Sequence, residues 1–171
     1  MKKILLLLIL FPNILYAGSM KMIGEKGKPN EVNRTIEIYM YDNYFIPSEI
    51  KIKKNETIKF VVKNNGDLVH EFNIATKEMH IKHRPEMIKM MEHGILLGNK
   101  IDKIKMKEMA KKDHSMAHSH SNSILLEPGQ TGDLIWKFNT DTKIEAACNV
   151  PGHYETGICL LYTSDAADEI A

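Results

Sequence analysis

The residues best suited to chemistry in this sequence are a cysteine and two histidines. Cys148 and His153 lie five residues apart in Ala147-Cys148-Asn149-Val150-Pro151-Gly152-His153, and His70 opens the run His70-Glu71-Phe72-Asn73-Ile74. A thiolate with two imidazoles makes the trigonal donor set that copper favours, usually completed by one weak ligand on the axis. Pro151 and Gly152 would turn the chain so that the side chains of Cys148 and His153 converge. Taken singly, each residue has an ordinary reading, as a strand histidine, a buried thiol and a loop histidine. Together, in this order, they point to a metal. Zinc fits less well, because a structural zinc site takes four strong ligands and three are visible. A binuclear copper site would need a second thiolate in the loop, and Asn149 to His153 contains none.

The segments that must position these residues read as strands. Arg34 to Met40 and Glu49 to Lys53 alternate apolar with polar residues, and Glu56 to Val62 follows. Asn64-Asn65-Gly66 is a turn signal before His70 to Ile74. Strand patterning resumes at Ile124 to Leu126, turns at Pro128-Gly129, and continues through Gly132 to Phe138 and Lys143 to Cys148. Short strands at this spacing predict an all-β sandwich or barrel. Between them, over about 76–122, lies a long excursion without alternation. A short helix is expected from Pro85 to His93, with Pro85 in its first turn. From Leu96 to Asn122 the chain is polar and Lys-rich and reads as a mobile insertion.

With 171 residues, 43% of them hydrophobic, the chain can bury one sizeable core. Its 23 basic and 22 acidic residues leave a formal charge of +1, which gives no field to draw it onto nucleic acid or anionic lipid. The N-terminus MKKILLLLILFPNILYAG has a basic start, an apolar run and small residues at Ala17 and Gly18, the pattern of an export signal over 1–17. A membrane span would need ~20 apolar residues, and Pro12 and Asn13 interrupt this run. A flexible lead is expected over 18–33, and no stable membrane span after cleavage. Outside the cytosol, Cys148 and Cys159 would be disulfide candidates, but a bridge between them would consume the thiolate that the metal needs.

The sequence resembles the cupredoxins of the plastocyanin and azurin type, and most of all the bacterial periplasmic copper-binding cupredoxins linked to copper tolerance. The likeness is carried by Val69-His70-Glu71-Phe72-Asn73-Ile74, by Leu126 to Phe138 (LEPGQTGDLIWKF), and by Ala147 to Gly157 (ACNVPGHYETG). It implies a Greek-key β-sandwich domain over 34–158 and a type 1 copper site whose ligands are His70, Cys148 and His153. The resemblance also implies a methionine five residues after the second histidine, where this chain has Ile158, a side chain that cannot coordinate.

The tail offers an explanation. Cys159 to Glu169 (CLLYTSDAADE) looks like one reading frame of a widely used transposase sequencing adapter, whose first base would turn a methionine codon into isoleucine. On that reading 159–171 is an artefact, Cys159 is not native, and the final strand of the sandwich is missing.

Between Met79 and His120 lie seven methionines (Met79, Met87, Met90, Met91, Met106, Met109, Met116) and six histidines (His80, His83, His93, His114, His118, His120). Thioethers suit Cu(I) and imidazoles suit Cu(II), so the stretch could hold weak accessory copper. Met87, Met90 and Met91 read more simply as residues packing a helix onto the sheet. His114, Met116, His118 and His120 lie in a polar run where packing does not explain them. The function expected is periplasmic copper binding for copper handling and tolerance. The alternative is a soluble electron carrier cycling between Cu(I) and Cu(II). Either would use copper ions and a redox or copper-transfer partner protein, and neither is an enzyme. A multicopper oxidase domain would need paired His-x-His motifs in strands, and His118-Ser119-His120 is a single copy in a loop.

Overall fold

A computed structural model describes residues 23–139 and 142–164, with the backbone alone for 159–164. The expected export signal and residues 165–171 lie outside that range. Among the described residues no helix is long and apolar enough to cross a membrane.

Among the described residues twelve strands run in chain order through β1 (Glu25–Lys26), β2 (Arg34–Tyr41), β3 (Tyr44–Ile46), β4 (Glu49–Ile52), β5 (Glu56–Asn64) and β6 (His70–Ala75). The remainder are β7 (Leu96–Leu97), β8 (Lys100–Ile101), β9 (Ser123–Leu126), β10 (Thr131–Phe138), β11 (Glu145–Ala147) and β12 (Cys159–Ser164). One sheet has the order β1-β10-β5-β2-β3 and the other β4-β12-β11-β6-β9, while β7 and β8 form a separate hairpin. The chain crosses from the first sheet to the second between β3 and β4 and returns at β5, so neither sheet is a simple meander. The all-β sandwich expected from the strand spacing is what the chain adopts.

Alternation in β5 and β10 sends Ile58, Phe60, Val62, Leu134, Trp136 and Phe138 inward, all buried. Phe72 of β6 meets Phe60 at 5.4 Å and Phe45 at 6.1 Å between ring centroids, closing the core from the opposite sheet. The lead is not free along its length: Ile23 is buried, its carbonyl accepts the Trp136 indole N–H at 2.9 Å, and β1 pairs with β10. The expectation of a flexible lead to residue 33 therefore fails from Ile23 onward, because the edge of β10 and the buried indole both need a partner there.

Every residue of β6 is buried, unlike the alternating pattern of β10. His70, Phe72 and Ile74 share one face, and Glu71, Asn73 and Ala75 the other, which the insertion covers. Its helix α1 spans Lys77–Glu92, longer than expected and starting eight residues earlier than the Pro85 start. Thr76 caps it, its hydroxyl accepting the Met79 N–H at 3.2 Å, and Pro85 lies inside. The carbonyl that Pro85 leaves unbonded belongs to Ile81, half exposed, where water can solvate it.

The expected mobile stretch also has structure, with the β7–β8 hairpin, helix α2 (Lys103–Ala110) and a 3-10 turn over His114–Ala117. Met87, Met90 and Met116 are buried, and Met79, Met106 and Met109 pack against the same core. Met91 departs from its expected packing role and is exposed.

Where the native last strand was expected to be missing, tail residues Cys159–Ser164 fill its place. β12 lies between β4 and β11, parallel to Glu49–Ile52 and antiparallel to Glu145–Ala147. Sheet pairing uses backbone N–H and C=O groups that any extended segment supplies, and without β12 the edges of both neighbours would be open.

Candidate metal centre

The loop that carries Cys148 and His153 begins where β11 ends. The Cys148 N–H donates to the Ile158 carbonyl at 3.2 Å, and the His153 N–H donates to the Val150 carbonyl at 2.9 Å. Pro151 and Gly152 are the corners of that four-residue turn, and Gly152 has φ 92°. This is the left-handed second corner of a type II turn, which favours glycine. The turn folds His153 back over Cys148, as its Pro-Gly pair predicted. His70 arrives from the start of β6.

The three predicted ligands meet. Cys148 Sγ lies 3.7 Å from His70 Nδ1 and 3.3 Å from His153 Nδ1, and the two rings are 4.8 Å apart. Metal bonds of about 2.0 Å to nitrogen and 2.3 Å to sulfur, about 120° apart, imply sulfur–nitrogen separations of roughly 3.7 Å. The donor set therefore fits a trigonal ion with small adjustments. His70 and Cys148 are fully buried and His153 is half-buried. Ile158 is buried beside the loop but offers no donor atom.

The electrostatics suit a soft metal. Burial pushes the Cys148 thiol up to about 12, so the metal-free protein keeps it protonated and metal binding must release that proton. The Glu71 backbone N–H donates to Cys148 Sγ at 3.3 Å, a contact that favours the thiolate once formed. Burial and the nearby His70 hold His153 down to about 4, so its imidazole is neutral and ready to coordinate at pH 7.

Asp42 was not anticipated. Its Oδ1 lies 2.9 Å from His70 Nε2 and also accepts the Asp67 and Leu68 N–H groups at 3.0 and 3.1 Å. Against the burial that would raise it, the His70 contact and these two amides hold its carboxyl below the usual range. Asp42 thus pins the outer nitrogen of His70 and leaves Nδ1 to face Cys148. Gly66 makes this approach possible, because a Cβ there would come within 2.3 Å of Asp42 Oδ1 and 3.0 Å of His70 Nε2. Asp42→Ala and Gly66→Ala are each expected to weaken copper binding by about 10- to 100-fold. Competition titration against a copper chelator checks this, and unchanged affinity in both would remove the pair from the site.

The insertion's histidines divide. His93 caps the end of α1 and His114 opens the 3-10 turn, and neither joins a donor cluster among the described residues. His80 is buried, its Nδ1 accepting from Asn149 Nδ2 at 3.1 Å, and burial keeps it neutral. His83 and His118 converge on Glu71, and His120 on Glu86. Glu71 has no solvent exposure, yet the His118 and His83 bonds hold its carboxyl well below the usual range despite that burial. Asn149 donates both its N–H and its Nδ2 to Glu71 Oε2, at 3.3 and 2.8 Å, and so ties the Cys148–His153 loop to β6.

These environments set the pH response of the metal-free protein. Burial would lower His83, but Glu71 and Glu86 hold it up to about 10 from its ordinary 6.5. Its stabilisation is complete below pH 6.5 and fades as pH rises toward 10. Against burial, His120 and His83 hold Glu86 down to about 2 from 4.5, so its contribution fades as pH falls through that window. His83 and Glu86 share one interaction, so their shifts do not add. Half-buried His153 is held neutral in the fold, and protonation in the unfolded chain costs stability as pH falls from 6.5 toward 4. The metal-free protein is expected to melt highest near about pH 6.5 and to lose stability on both sides. A thermal melt series across pH checks this, and a maximum well above pH 8 would contradict it.

Comparison with known proteins gives a consistent picture. A family model described as a cupredoxin-like domain matches residues 12–117, which include His70 and stop before Cys148. A protein named copper-resistant cuproprotein CopI from Pseudomonas aeruginosa is 39% identical over 149 residues, covering 79% of this chain and 78% of its own. Its namesake from Vibrio cholerae is 28% identical over 141 residues, covering 81% of this chain and 70% of its own. Among solved structures, auracyanin B aligns with a TM-score of 0.57 at 12% identity, covering 83% of this chain and 96% of that one. The dithionite-reduced auracyanin of Roseiflexus castenholzii aligns at 0.55 and 17% identity, covering 78% and 98%. At such identities the structural likeness is one of fold.

Proposed function

This chain belongs to the cupredoxin-like family, and on that premise we propose that it binds copper at His70, Cys148 and His153 and serves copper tolerance outside the cytoplasm. The observation that carries the reading is the convergence of one thiol and two imidazole Nδ1 atoms in a buried pocket at 3.3 and 3.7 Å from the sulfur.

His70, Cys148 and His153 would hold the copper, which would supply one-electron chemistry between Cu(I) and Cu(II). The chain's own residues do the rest. Cys148 gives up its proton and presents the thiolate, steadied by the Glu71 N–H. Asp42 fixes the tautomer and tilt of His70, and the Pro151–Gly152 turn holds His153 in place. Burial excludes water that would compete for the open position. The role proposed for these residues is copper binding and transfer.

A soluble electron carrier would use the same centre and is the second reading. Copper tolerance is favoured because the relatives named above are copper-resistance proteins and because the insertion adds imidazoles next to the centre, which an electron carrier does not need. Export of the chain after loss of 1–17, delivery to a redox or copper-transfer partner, and a methionine in place of Ile158 belong to the same reading. Resequencing the gene beyond the Gly157 codon tests the last of these: an isoleucine codon with the same continuation in an independent clone would refute it.

The functional test is growth at raised copper of a copper-sensitive bacterium lacking its own relative of this protein. The wild-type chain is expected to restore growth and Cys148→Ser to fail at equal abundance. Failure of the wild-type protein to restore growth, while it still takes up copper and cycles reversibly, would favour the electron carrier.

A further inference from the structure

On the face of β6 opposite His70, beside the copper centre, a second set of donors closes around Glu71. Its Oε1 lies 3.1 Å from His83 Nε2 and 2.8 Å from His118 Nε2, and the three ligand atoms fall within 4.8 Å of one another. Glu71 is wholly buried, and the side chains of His83 and His118 are only 11% and 4% exposed. His83 turns its other nitrogen toward Glu86 at 3.5 Å, and His120 Nε2 lies 3.0 Å from the same carboxylate. His120 is the most open of these side chains, at 33% exposure, so this second pair faces outward.

Three separate segments supply the donors: β6 gives Glu71, α1 gives His83 and Glu86, and the loop after the 3-10 turn gives His118 and His120. Packing alone does not call for such a cluster, because apolar side chains of similar volume usually stabilise a core as well as buried ion pairs do. His118 also has a left-handed backbone, φ 44° and ψ 49°, a conformation uncommon for a residue with a side chain and concentrated at functional sites.

We propose that Glu71, His83 and His118 form a second metal site, which takes a divalent transition ion, foremost Cu(II), with His120 and Glu86 at its entrance. Two imidazoles and one carboxylate with positions left open are a donor set for such ions, and Cu(II) stands at the top of their affinity order. Metal bonds of about 2.0–2.1 Å at right angles imply donor separations of roughly 2.9 Å, close to the Glu71–His distances observed. The inference deepens the copper-tolerance reading and rests on it for the identity of the ion.

The two sites are joined through Glu71. Its Oε1 faces the second site, its Oε2 accepts from Asn149 next to Cys148, and its N–H donates to Cys148 Sγ. Filling the outer site would draw on Oε1 and be felt at the copper loop. The second site therefore also tunes the first.

The test removes the first site and titrates the second. Cys148→Ser protein is expected to bind one equivalent of Cu(II), with an electron paramagnetic resonance signal split by imidazole nitrogen and no strong visible band. Adding His83→Ala and His118→Ala should weaken that binding by at least about 100-fold, the upper end of what losing a mere supporting hydrogen bond costs. With Cys148 intact, the same double variant should still take up one copper with its strong absorbance, which shows that it folds. If it does not, His118→Gln alone replaces it, with the same two readouts.

No Cu(II) binding by Cys148→Ser protein would overturn the proposal. So would binding undiminished by either set of histidine changes, which would put the ion elsewhere. In wild-type protein, a shift of the visible band as the second equivalent binds is the expected sign of coupling. Absence of any strong visible band in wild type would sink the first site and leave the second to be judged on its own titration.

Discussion

Replacing Cys148 with serine is expected to abolish the strong visible absorption of the copper-loaded protein and to weaken copper binding at this centre by on the order of 100-fold or more. The absorption arises from charge transfer between sulfur and Cu(II), so it cannot survive loss of the sulfur. Serine is close to cysteine in size, so the fully buried position should tolerate it sterically. It fails chemically, because its hydroxyl holds its proton far more tightly than the thiol and its oxygen is a hard donor. His70 and His153 would remain as two imidazoles without their anionic partner. An absorption titration on both proteins decides the matter, and colour persisting in the variant would refute the assignment of Cys148.

Truncating Phe72 to alanine is expected to cost about 3–5 kcal/mol, the range for emptying a fully buried aromatic position. Phe72 is completely buried and bridges the two sheets, meeting Phe45 of β3 and Phe60 of β5. The void would lie between the two sheets, beneath the Phe45 and Phe60 rings that β3 and β5 of the facing sheet hold, and it can close only if a strand moves. In a domain of this size each kcal/mol lowers the melting point by about 2–4 °C, so a fall on the order of 10 °C is expected. Met91→Ala is the control, since Met91 is 43% exposed and its loss should stay within about 0.5 kcal/mol. A Phe72 variant melting within a degree or two of wild type would mean that β6 does not join the sheets as described.

His70 lies on the same face of β6 as Phe72, two residues earlier, so the core residue and the ligand depend on the same strand. This is why β6 could be read from its sequence in part. Alternation showed a strand from His70 to Ile74, and the observed strand ends one residue later. Alternation could not show that Glu71 and Asn73 are buried too, because their cover comes from residues in the insertion. The helix start was misplaced for a related reason. Pro85 is favoured in a first turn, but Thr76 caps the helix nine residues earlier and the rest of the chain tolerates one unbonded carbonyl. The lead from Ile23 looked free because its partners, Trp136 and β10, are more than a hundred residues away.

What could be read without coordinates is what neighbours in the chain control. The Val150-Pro151-Gly152-His153 turn is such a case: a proline's restricted φ and a glycine's freedom at φ 92° bring thiol and imidazole together within six residues. The sheet strands followed from period-two alternation, and the third ligand from the motif around His70.

What could not be read depends on distance closed by folding. Asp42 meets His70 across 28 residues, and His118 meets Glu71 across 47. Asp42 in Tyr41-Asp42-Asn43 carries only the marks of a turn, and Glu71 only those of an outward strand residue. Their roles arise when sheet pairing and the packing of the insertion bring separate segments to one point. Local backbone preference carries no information about which segments those will be.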